Sequence, residues 1–441
     1  MVSIENEDTL TSTRRRETAL ACVRAGIDAA RPDRVVDESV RLDGDRLHVA
    51  GTEYDLSDVD RIVAVGGGKA ADGVADALER VLGDRIDAGA VVTPDPGEGE
   101  RIERLHGDHP VPSQDGVDGT DRIRELVAEA DERTLVLAII TGGGSALLPA
   151  PAEGITLDDL QRTTDALLDA GAEIGDLNAV RKHLSTLKGG GLAELAAPAT
   201  VVSLVFSDVV GNDLSVIASG PTAPDESTYD DALDALERYG VDPPTAVRKR
   251  LEAGAAGDLP ETPRPGDEVF DRVTNHILAD GFTALDAARE VAQERDYDTS
   301  ILSSSVRGEA REAALTHVAV AEEIEATGNP IEAPAVVLSG GEATATVRGD
   351  GVGGPNAEFA LAAAVELPDS STLACVDTDG RDGSSDFAGA VVDGDTVDDV
   401  RAARQALGNS DAYGYLGSRD AIVSTGATGT NVNDLRVLVV E

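Results

Sequence analysis

The chain has 441 residues, 83 acidic against 37 basic side chains and a formal net charge of −46. That length predicts two or three domains and a sizeable core, and that charge argues against nucleic acid or an anionic membrane as partner, since both would be repelled. The longest apolar runs, such as Thr134–Ile140, are strand-sized, so no membrane span is expected. The start, Met1-Val-Ser-Ile-Glu-Asn-Glu-Asp8, has no apolar stretch and reads as no signal peptide. Cys22 and Cys375 cannot make a disulfide framework. A cytoplasmic protein is the expectation.

The acids are interspersed with regular apolar periodicity, so they read as a folded protein's surface, not a disordered tail. Such a charge destabilises a compact state unless salt screens it. An acidic surface adapted to molar salt, in a halophilic cytosol, accounts for it. There are four lysines, at 69, 182, 188 and 249, against 33 arginines. If surface lysine has been discarded, the survivors are candidates for places where an ammonium is needed, and three of the four lie beside glycine-rich loops.

In chain order, residues 13–31 read as a helix and 61–65 as a buried strand running into Gly66-Gly-Gly-Lys69 and a helical stretch to 82. A strand at 88–93, a helix at 120–130, a strand at 134–140 ending in Thr141-Gly-Gly-Gly-Ser145, and a strand at 200–206 ending in Ser207-Asp208 follow. Strands alternating with helices are the pattern of βαβ units on a parallel sheet. Residues 254–267, rich in Gly, Pro and acids, read as a linker. Beyond it come strand 273–279, helix 283–295, strand 299–304, helix 308–326, strand 334–339, helix 356–366, strand 372–376 and a last strand at 435–440. The expected domains are 1–255, Rossmann-like, and 268–441, a smaller α/β domain.

Three of these strands end in glycine clusters: Gly66-Gly-Gly68, Gly142-Gly-Gly144 and Gly340-Gly341 with Glu342. Ligands of open α/β sheets bind outside the strand carboxyl ends, and backbone N–H groups there suit phosphate. The first loop also fits a dinucleotide fingerprint, Gly66-x-Gly68-x-x-Ala71, with Asp95 as a conceivable ribose ligand. That makes an NAD(P)-dependent reductase the runner-up. Lys69 favours phosphoryl transfer, which needs fixed positive charge at the migrating group. A non-enzymatic nucleotide or sugar-phosphate sensor is a third reading.

A second cluster, Asn178-Ala-Val-Arg-Lys-His-Leu-Ser-Thr-Leu-Lys-Gly-Gly-Gly191, concentrates Arg181, Lys182, His183 and Lys188 in a chain otherwise poor in cations. Asp208, at a strand's carboxyl end, is placed to reach Mg²⁺ or a reacting hydroxyl. The second half supplies Gly353-Gly-Pro-Asn-Ala-Glu358, Asp377-Thr-Asp-Gly-Arg-Asp-Gly383 and Thr425–Asp434. The middle one begins like a Ca²⁺ loop but lacks its spacing and terminal Glu. His106-Gly-Asp-His109 reads as a loop, not a metal pair.

The ordered set of motifs resembles the glycerate 2-kinase family of the MOFRL type, whose members were often labelled hydroxypyruvate reductases. The matching pieces include Val65–Ala71, His109–Pro112, Thr141–Leu147, Asn178–Ser185 with Lys188–Gly191, Ser207–Val209, Ser215–Pro221, Gly308–Ala310, Ser339–Glu342, Asp377–Gly380 and Thr428–Asp434. The resemblance, to a halophilic archaeal member, implies a two-domain α/β kinase with a Rossmann-like N-terminal domain, a C-terminal domain carrying the MOFRL region at about 330–440, and an active site in the cleft between them. It implies phosphorylation of the 2-hydroxyl of D-glycerate by ATP with Mg²⁺. On this chain Lys69, Asp208 and Asp379 become the catalytic candidates, with Asp208 also the candidate metal ligand and the choice of base open between Asp208 and Asp379. Arg181, Asn178 and Ser145 are candidates for substrate, Arg181 for its carboxylate. Gly66, Gly67, Gly68, Gly142, Gly143, Gly144, Lys188, Gly340, Gly341, Glu342 and Asn356 are candidates for the nucleotide. A homodimer is the candidate assembly. The chain departs from the family at Pro355, where an arginine that acts on the phosphoryl group is expected, at Ala357 (Gln) and at Ala427 (Pro). Either another cation, such as Arg181, Lys188 or Arg381, takes over, or activity or substrate differs from the family norm.

Overall fold

The computed structural model describes residues 1–441. They divide into two units, Val35–Leu278 on the one hand and Met1–Arg34 with Ala279–Glu441 on the other.

In Val35–Leu278, β1 (Val40–Asp43), β2 (Arg46–Val49) and β3 (Thr52–Asp55) form a small antiparallel sheet. The main sheet contains β4 (Arg61–Gly67), β5 (Ala88–Thr93), β6 (Ile102–His106), β7 (Thr134–Thr141), β8 (Thr200–Phe206) and β9 (Val273–Ala279), in the order β6-β5-β4-β7-β8-β9. The pairs β5–β6, β4–β5, β4–β7 and β7–β8 are parallel. All eight residues of β7 are buried, which is why its sequence reads as one apolar run instead of an alternation. From β4 the chain builds outward through β5 and β6, then returns to lay β7 and β8 on the other side. The order therefore reverses between β4 and β7, and the crevice at their carboxyl ends is where a ligand site is expected. The loops after those two strands carry Gly68-Lys69 and Gly142–Ser145.

The other unit holds β10 (Asp298–Glu309), β11 (Ala335–Thr344), β12 (Ser371–Asp377), β13 (Gly389–Asp393), β14 (Ile422–Val423) and β15 (Asp434–Val440), in the order β10-β11-β15-β12-β13-β14. Only β10–β11 is parallel; the other four pairings are antiparallel. The alternation expected from the sequence breaks after β12, where the chain passes to β13 through a loop with no helix. Leu435, Val437 and Val439 of β15 pack with Leu20, Val23 and Ile27 of the helix Arg14–Ala29 and with Leu285 and Ala288 of Gly281–Glu294. Leu438 and Val440, one step out of phase, pack with Ala314 and Val318 of Ala310–Thr327 and with Leu361 of Pro355–Ala364. A Cβ at Gly26 would stand 2.8 Å from the Ala284 carbonyl oxygen, so glycine lets the first of these helices press onto the second.

The units differ from the expected 1–255 and 268–441. The first helix packs on the sheet built from the C-terminal half, and β9, taken as the first strand of the second domain, closes the edge of the first sheet. Gly- and Pro-rich composition marked 254–267 as a linker, but the chain passes between units at Arg34/Val35 and Leu278/Ala279, inside ordinary sequence.

Candidate active site

The two glycine loops at the switch point are built differently. In the first, the donors are taken: Gly68 N–H donates to Val92 O (3.0 Å), Lys69 N–H to Gly142 O (2.8 Å), Ala70 N–H to Thr141 Oγ1 (3.2 Å) and Ala71 N–H to Gly68 O (3.2 Å). Gly66 and Gly67 lie inside the β4 ladder. The expected phosphate cradle at Gly66–Gly68 is therefore not formed; these glycines serve close packing. Gly68, at φ 134°, leaves no room for a Cβ against Thr141. What the loop presents is the Lys69 side chain.

The second loop is open. Gly142, Gly143, Gly144 and Ser145 donate their N–H groups to no acceptor in the chain, while the carbonyls of Gly143 and Gly144 accept from Ala146, Leu147 and Leu148. Four successive free donors make a site for an oxyanion. Its neighbours follow from what a side chain on each glycine would meet. A Cβ at Gly143 (φ 80°) would stand 3.0 Å from His109 Cδ2 and 3.2 Å from Lys69 Cγ, and one at Gly142 would strike the Asp208 carboxylate. Lys69, His109 and Asp208 thus converge on the open loop. His109 was read from sequence as part of a loop and of the His109–Pro112 motif, with no role assigned to it.

Below the loop runs a relay. Ser219 Oγ donates to Asn178 Oδ1 (3.1 Å), which leaves Ser145 Oγ as donor to Ser219 Oγ (2.8 Å). Ala218 and Ser219 both have positive φ, 51° and 62°, an uncommon state for non-glycine residues that stores backbone strain of about 1–3 kcal/mol each. That strained turn sets Ser219 between Ser145 and Asn178, and a Cβ on Gly144 would lie 2.7 Å from Ala218 Cβ. Sequence reasoning missed Ser219, although it sits in the quoted Ser215–Pro221 motif.

Lys188 does not reach toward a ligand. Its Nζ donates to Ser145 O (2.8 Å) and Leu148 O (3.2 Å), which ties down the open loop from behind. Burial, with the Arg181 charge second, lowers its pKa from 10.5 to about 7. The expected nucleotide contact is corrected to a brace on the loop. Arg181 is the opposite case. It makes no hydrogen bond or ion pair within the chain, and burial lowers its pKa. An unpaired, largely buried guanidinium is unusual in a protein carrying 83 acids. Lys182 is neutralised by Asp225 (3.0 Å), whose carboxylate burial would raise but whose Lys182 and Ser227 contacts hold it below its usual value.

The second-half motifs gather in the other unit as one buried knot. Asp382 accepts from the N–H of Asn356 and of Ala357 (both 2.8 Å) and from Tyr413 Oη (2.9 Å), capping the helix Pro355–Ala364. Burial raises its pKa from 3.8 to about 6. Asn356 Nδ2 donates to Asp434 Oδ1 (2.6 Å), and Asp434 also accepts from Ala343 N–H (2.9 Å) and Arg436. Asn356 is 1% exposed, so its assignment to the nucleotide is corrected: it ties the start of its helix to the loop after β12 and to the first residue of β15. Gly340 and Gly341 are likewise not a loop. β11 runs on to Thr344, pairing Gly340 with Leu435 and Gly341 with Asp434, and a Cβ on Gly341 (φ 129°) would meet Val306 O at the register shift of β10. Glu342 is exposed. Asp379 follows β12 and accepts from Arg381 N–H (2.8 Å), while the exposed Arg381 guanidinium has no partner in the chain. Pro355 is the first residue of its helix, where proline's fixed φ suits the backbone.

No group of three His, Cys, Asp or Glu side chains is arranged to hold a metal ion, and no helix is long and apolar enough to cross a membrane.

Residues 18–252 match a family described as a domain of unknown function, DUF4147, and residues 335–434 match the MOFRL family. D-glycerate 2-kinase of Thermotoga maritima is 39% identical over 95% of this chain and 97% of its own. Glycerate 2-kinase of Pyrococcus horikoshii is 38% identical over 96% and 97%. A crystal structure of a glycerate kinase from Thermotoga maritima superposes with a TM-score of 0.85 at 38% identity, covering 96% of this chain and 99% of that one. Likeness of this extent spans the residues of both units, and the chain belongs to the MOFRL-type glycerate kinase family.

Proposed function

We propose that the chain phosphorylates the 2-hydroxyl of D-glycerate with ATP and a divalent cation, giving 2-phosphoglycerate. The observation that carries this is the open loop: four free backbone donors at Gly142–Ser145, with Lys69 and Asp208 at its edge. Donors fixed in advance stabilise charge as it migrates, without reorganisation at the moment of transfer. Lys69 neutralises charge growing on the transferred phosphoryl group. Arg181 holds the substrate carboxylate, being a largely buried guanidinium with no hydrogen bond or ion pair in the chain. Arg381 supplies the cation lost at Pro355, since Lys188 is committed to two carbonyls. Mg²⁺ commonly sits among phosphate oxygens, waters and one or two carboxylates; a single carboxylate, Asp208, fits a cation that arrives with the nucleotide. When bound it offsets phosphate charge. The proton of the 2-hydroxyl goes to Asp208 or Asp379. Asp208→Asn and Asp379→Asn separate the two: loss of the proton acceptor flattens the acid limb of the kcat profile, whereas loss of the cation ligand raises the Mg²⁺ requirement. The acidic surface supports a home in a salt-rich cytoplasm.

The test is one assay in concentrated KCl, glycerate with ATP–Mg²⁺ against hydroxypyruvate with NADH. 2-Phosphoglycerate is the expected product of the first; NADH oxidation without phosphoglycerate overturns the proposal.

A further inference from the structure

Ser145 is the one residue of the open loop that adds a side chain to the free N–H groups, the other three being glycines. A serine hydroxyl carries one hydrogen and two lone pairs. Here the hydrogen is committed. Ser219 Oγ gives its own hydrogen to Asn178 Oδ1 (3.1 Å), so the 2.8 Å bond between the two serines is donated by Ser145. No group of the chain donates to Ser145 Oγ in return, and its lone pairs stay open. Ser219 is 0% and Asn178 3% exposed, whereas Ser145 is half-buried and its carbonyl is held from behind by Lys188 Nζ. Ser145 is thus the end of this row of hydrogen bonds that meets the open loop.

Four N–H donors beside a hydroxyl that can only accept sort the atoms of the reaction. Phosphoryl and carboxylate oxygens bring lone pairs, which suit the N–H groups and oppose Ser145 Oγ. A hydroxyl suits Ser145 Oγ. Ser145 is also no base, for a proton passed along the row would end on the Asn178 amide oxygen, which accepts a hydrogen bond but not a proton near neutral pH. Its partner is therefore a hydroxyl that keeps its hydrogen throughout the transfer. The 2-hydroxyl of glycerate does not: its oxygen bonds to phosphorus and its proton goes to a carboxylate. The 3-hydroxyl does, and it lies one carbon from the reacting position. The donor's ribose hydroxyls also keep their hydrogens, but two further phosphates separate them from the migrating group.

We infer that Ser145 Oγ accepts a hydrogen bond from the 3-hydroxyl of the substrate, and that Ser219 is the positioning residue that keeps Ser145 an acceptor. Together they select a 2,3-dihydroxy acid over a 2-hydroxy acid with an apolar end. This rests on the kinase reading above and adds how the substrate is told from its 3-deoxy analogue. A site built to bond a hydroxyl rejects the analogue that lacks it, because its own polar group is then left unpaired. The backbone is bent to this arrangement: Ala218 and Ser219, at φ 51° and 62°, form the strained turn that sets Ser219 under the loop.

The probes are D-glycerate, D-lactate, which lacks only the 3-hydroxyl, and 3-fluoro-2-hydroxypropanoate, whose fluorine is close to a hydroxyl in size and has no hydrogen to give. Steady-state kcat/KM for each is measured with ATP–Mg²⁺ in concentrated KCl. The wild type should prefer glycerate to both analogues by at least about 100-fold. Ser145→Ala should shrink the glycerate-to-lactate ratio at least about ten-fold. Ser219→Ala, at a φ that the neighbouring Ala218 already adopts, releases the hydrogen of Ser145 and should shrink the same ratio. A purely structural role would lower both rates and leave the ratio where it was. A wild type that phosphorylates lactate or the fluoro acid as well as glycerate overturns the assignment and leaves the kinase reading standing. So does a ratio unchanged in Ser145→Ala, or a loss there that falls equally on both acids and appears in the KM for ATP. A ratio that moves in Ser145→Ala but not in Ser219→Ala overturns the positioning role of Ser219. A wild type that forms no phosphoglycerate from glycerate overturns the kinase reading itself.

Discussion

Replacing Lys188 by Met removes the ammonium and keeps the unbranched stem, and its effect on stability must depend on pH. The side chain is 5% exposed, and burial brings its pKa from 10.5 to about 7. The folded protein holds this proton less tightly than the unfolded chain, so between pH 7 and 10.5 the unfolded state binds more protons and stability rises with pH. The gap of about 3.5, at about 1.4 kcal/mol for each pH unit, gives a total near 5 kcal/mol, fully lost once pH has fallen through 7. Against this, Met leaves Ser145 O and Leu148 O without their donor, a loss of about 1–3 kcal/mol for each carbonyl at any pH. At pH 10 the wild type should therefore be the more stable by several kcal/mol, and near pH 6 the two should be close. Urea unfolding of both proteins from pH 6 to 10, at one salt concentration, measures the difference, and other titrating groups cancel in the comparison. The difference should climb by about 1.4 kcal/mol per pH unit above pH 7. A difference that stays constant across that interval refutes the buried-ammonium account of Lys188.

Lys69→Ala should lower kcat by at least about 100-fold with a smaller change in the KM for glycerate, because its charge is needed most where negative charge migrates; a change in KM alone would assign Lys69 to ground-state binding. Arg381→Ala should also cut kcat by about 100-fold or more if this residue stands in for the arginine absent at Pro355, and wild-type rates in steady-state assays would remove it from the chemistry. Reducing KCl from 3 M to 0.1 M should lower the melting temperature with or without nucleotide, since the screening length grows from about 3 Å at 1 M to about 10 Å at 0.1 M around a net charge of −46; a flat melting temperature contradicts adaptation to salt.

What the sequence disclosed and what it hid divide along physical lines. β4, β5, β7 and β8 of the first sheet were legible because parallel strands covered on both faces are continuous apolar runs, and β7 is buried throughout; the edge strand β6, only one of whose five residues is buried, gave no such run and was not read. The hairpin β1–β2 was also legible, for Gly44-Asp45 between the paired Asp43 and Arg46 is a two-residue turn signal with glycine, at φ 61°, in the first central position. Sheet membership was not legible, because it depends on long-range pairing: β9 follows the linker-like stretch in sequence yet closes the first sheet. The same limit governs the site. Three glycine clusters look alike as text, but one has its donors consumed by Val92, Gly142 and Thr141, one keeps four donors free, and one is the interior of β11. Whether a glycine amide is free depends on what acceptor stands opposite, which no local pattern encodes. The scarcity of lysine did not disclose roles: Lys188 is bonded behind the loop, not in front of it. Arg181 was found by its charge in a depleted background, and the structure adds that nothing in the chain neutralises it. Pro355 is where the two kinds of information meet. As text it is a lost arginine; as structure it is a residue suited to open a helix that Asp382 caps. The helix start persists without the arginine's charge, so if the chemistry persists too, the cation must come from another residue; Arg381 stands next to Asp382, which caps that helix, and two residues before Gly383, where a Cβ would lie 3.5 Å from Pro355 Cδ, so it is carried by the turn packed on the lost position.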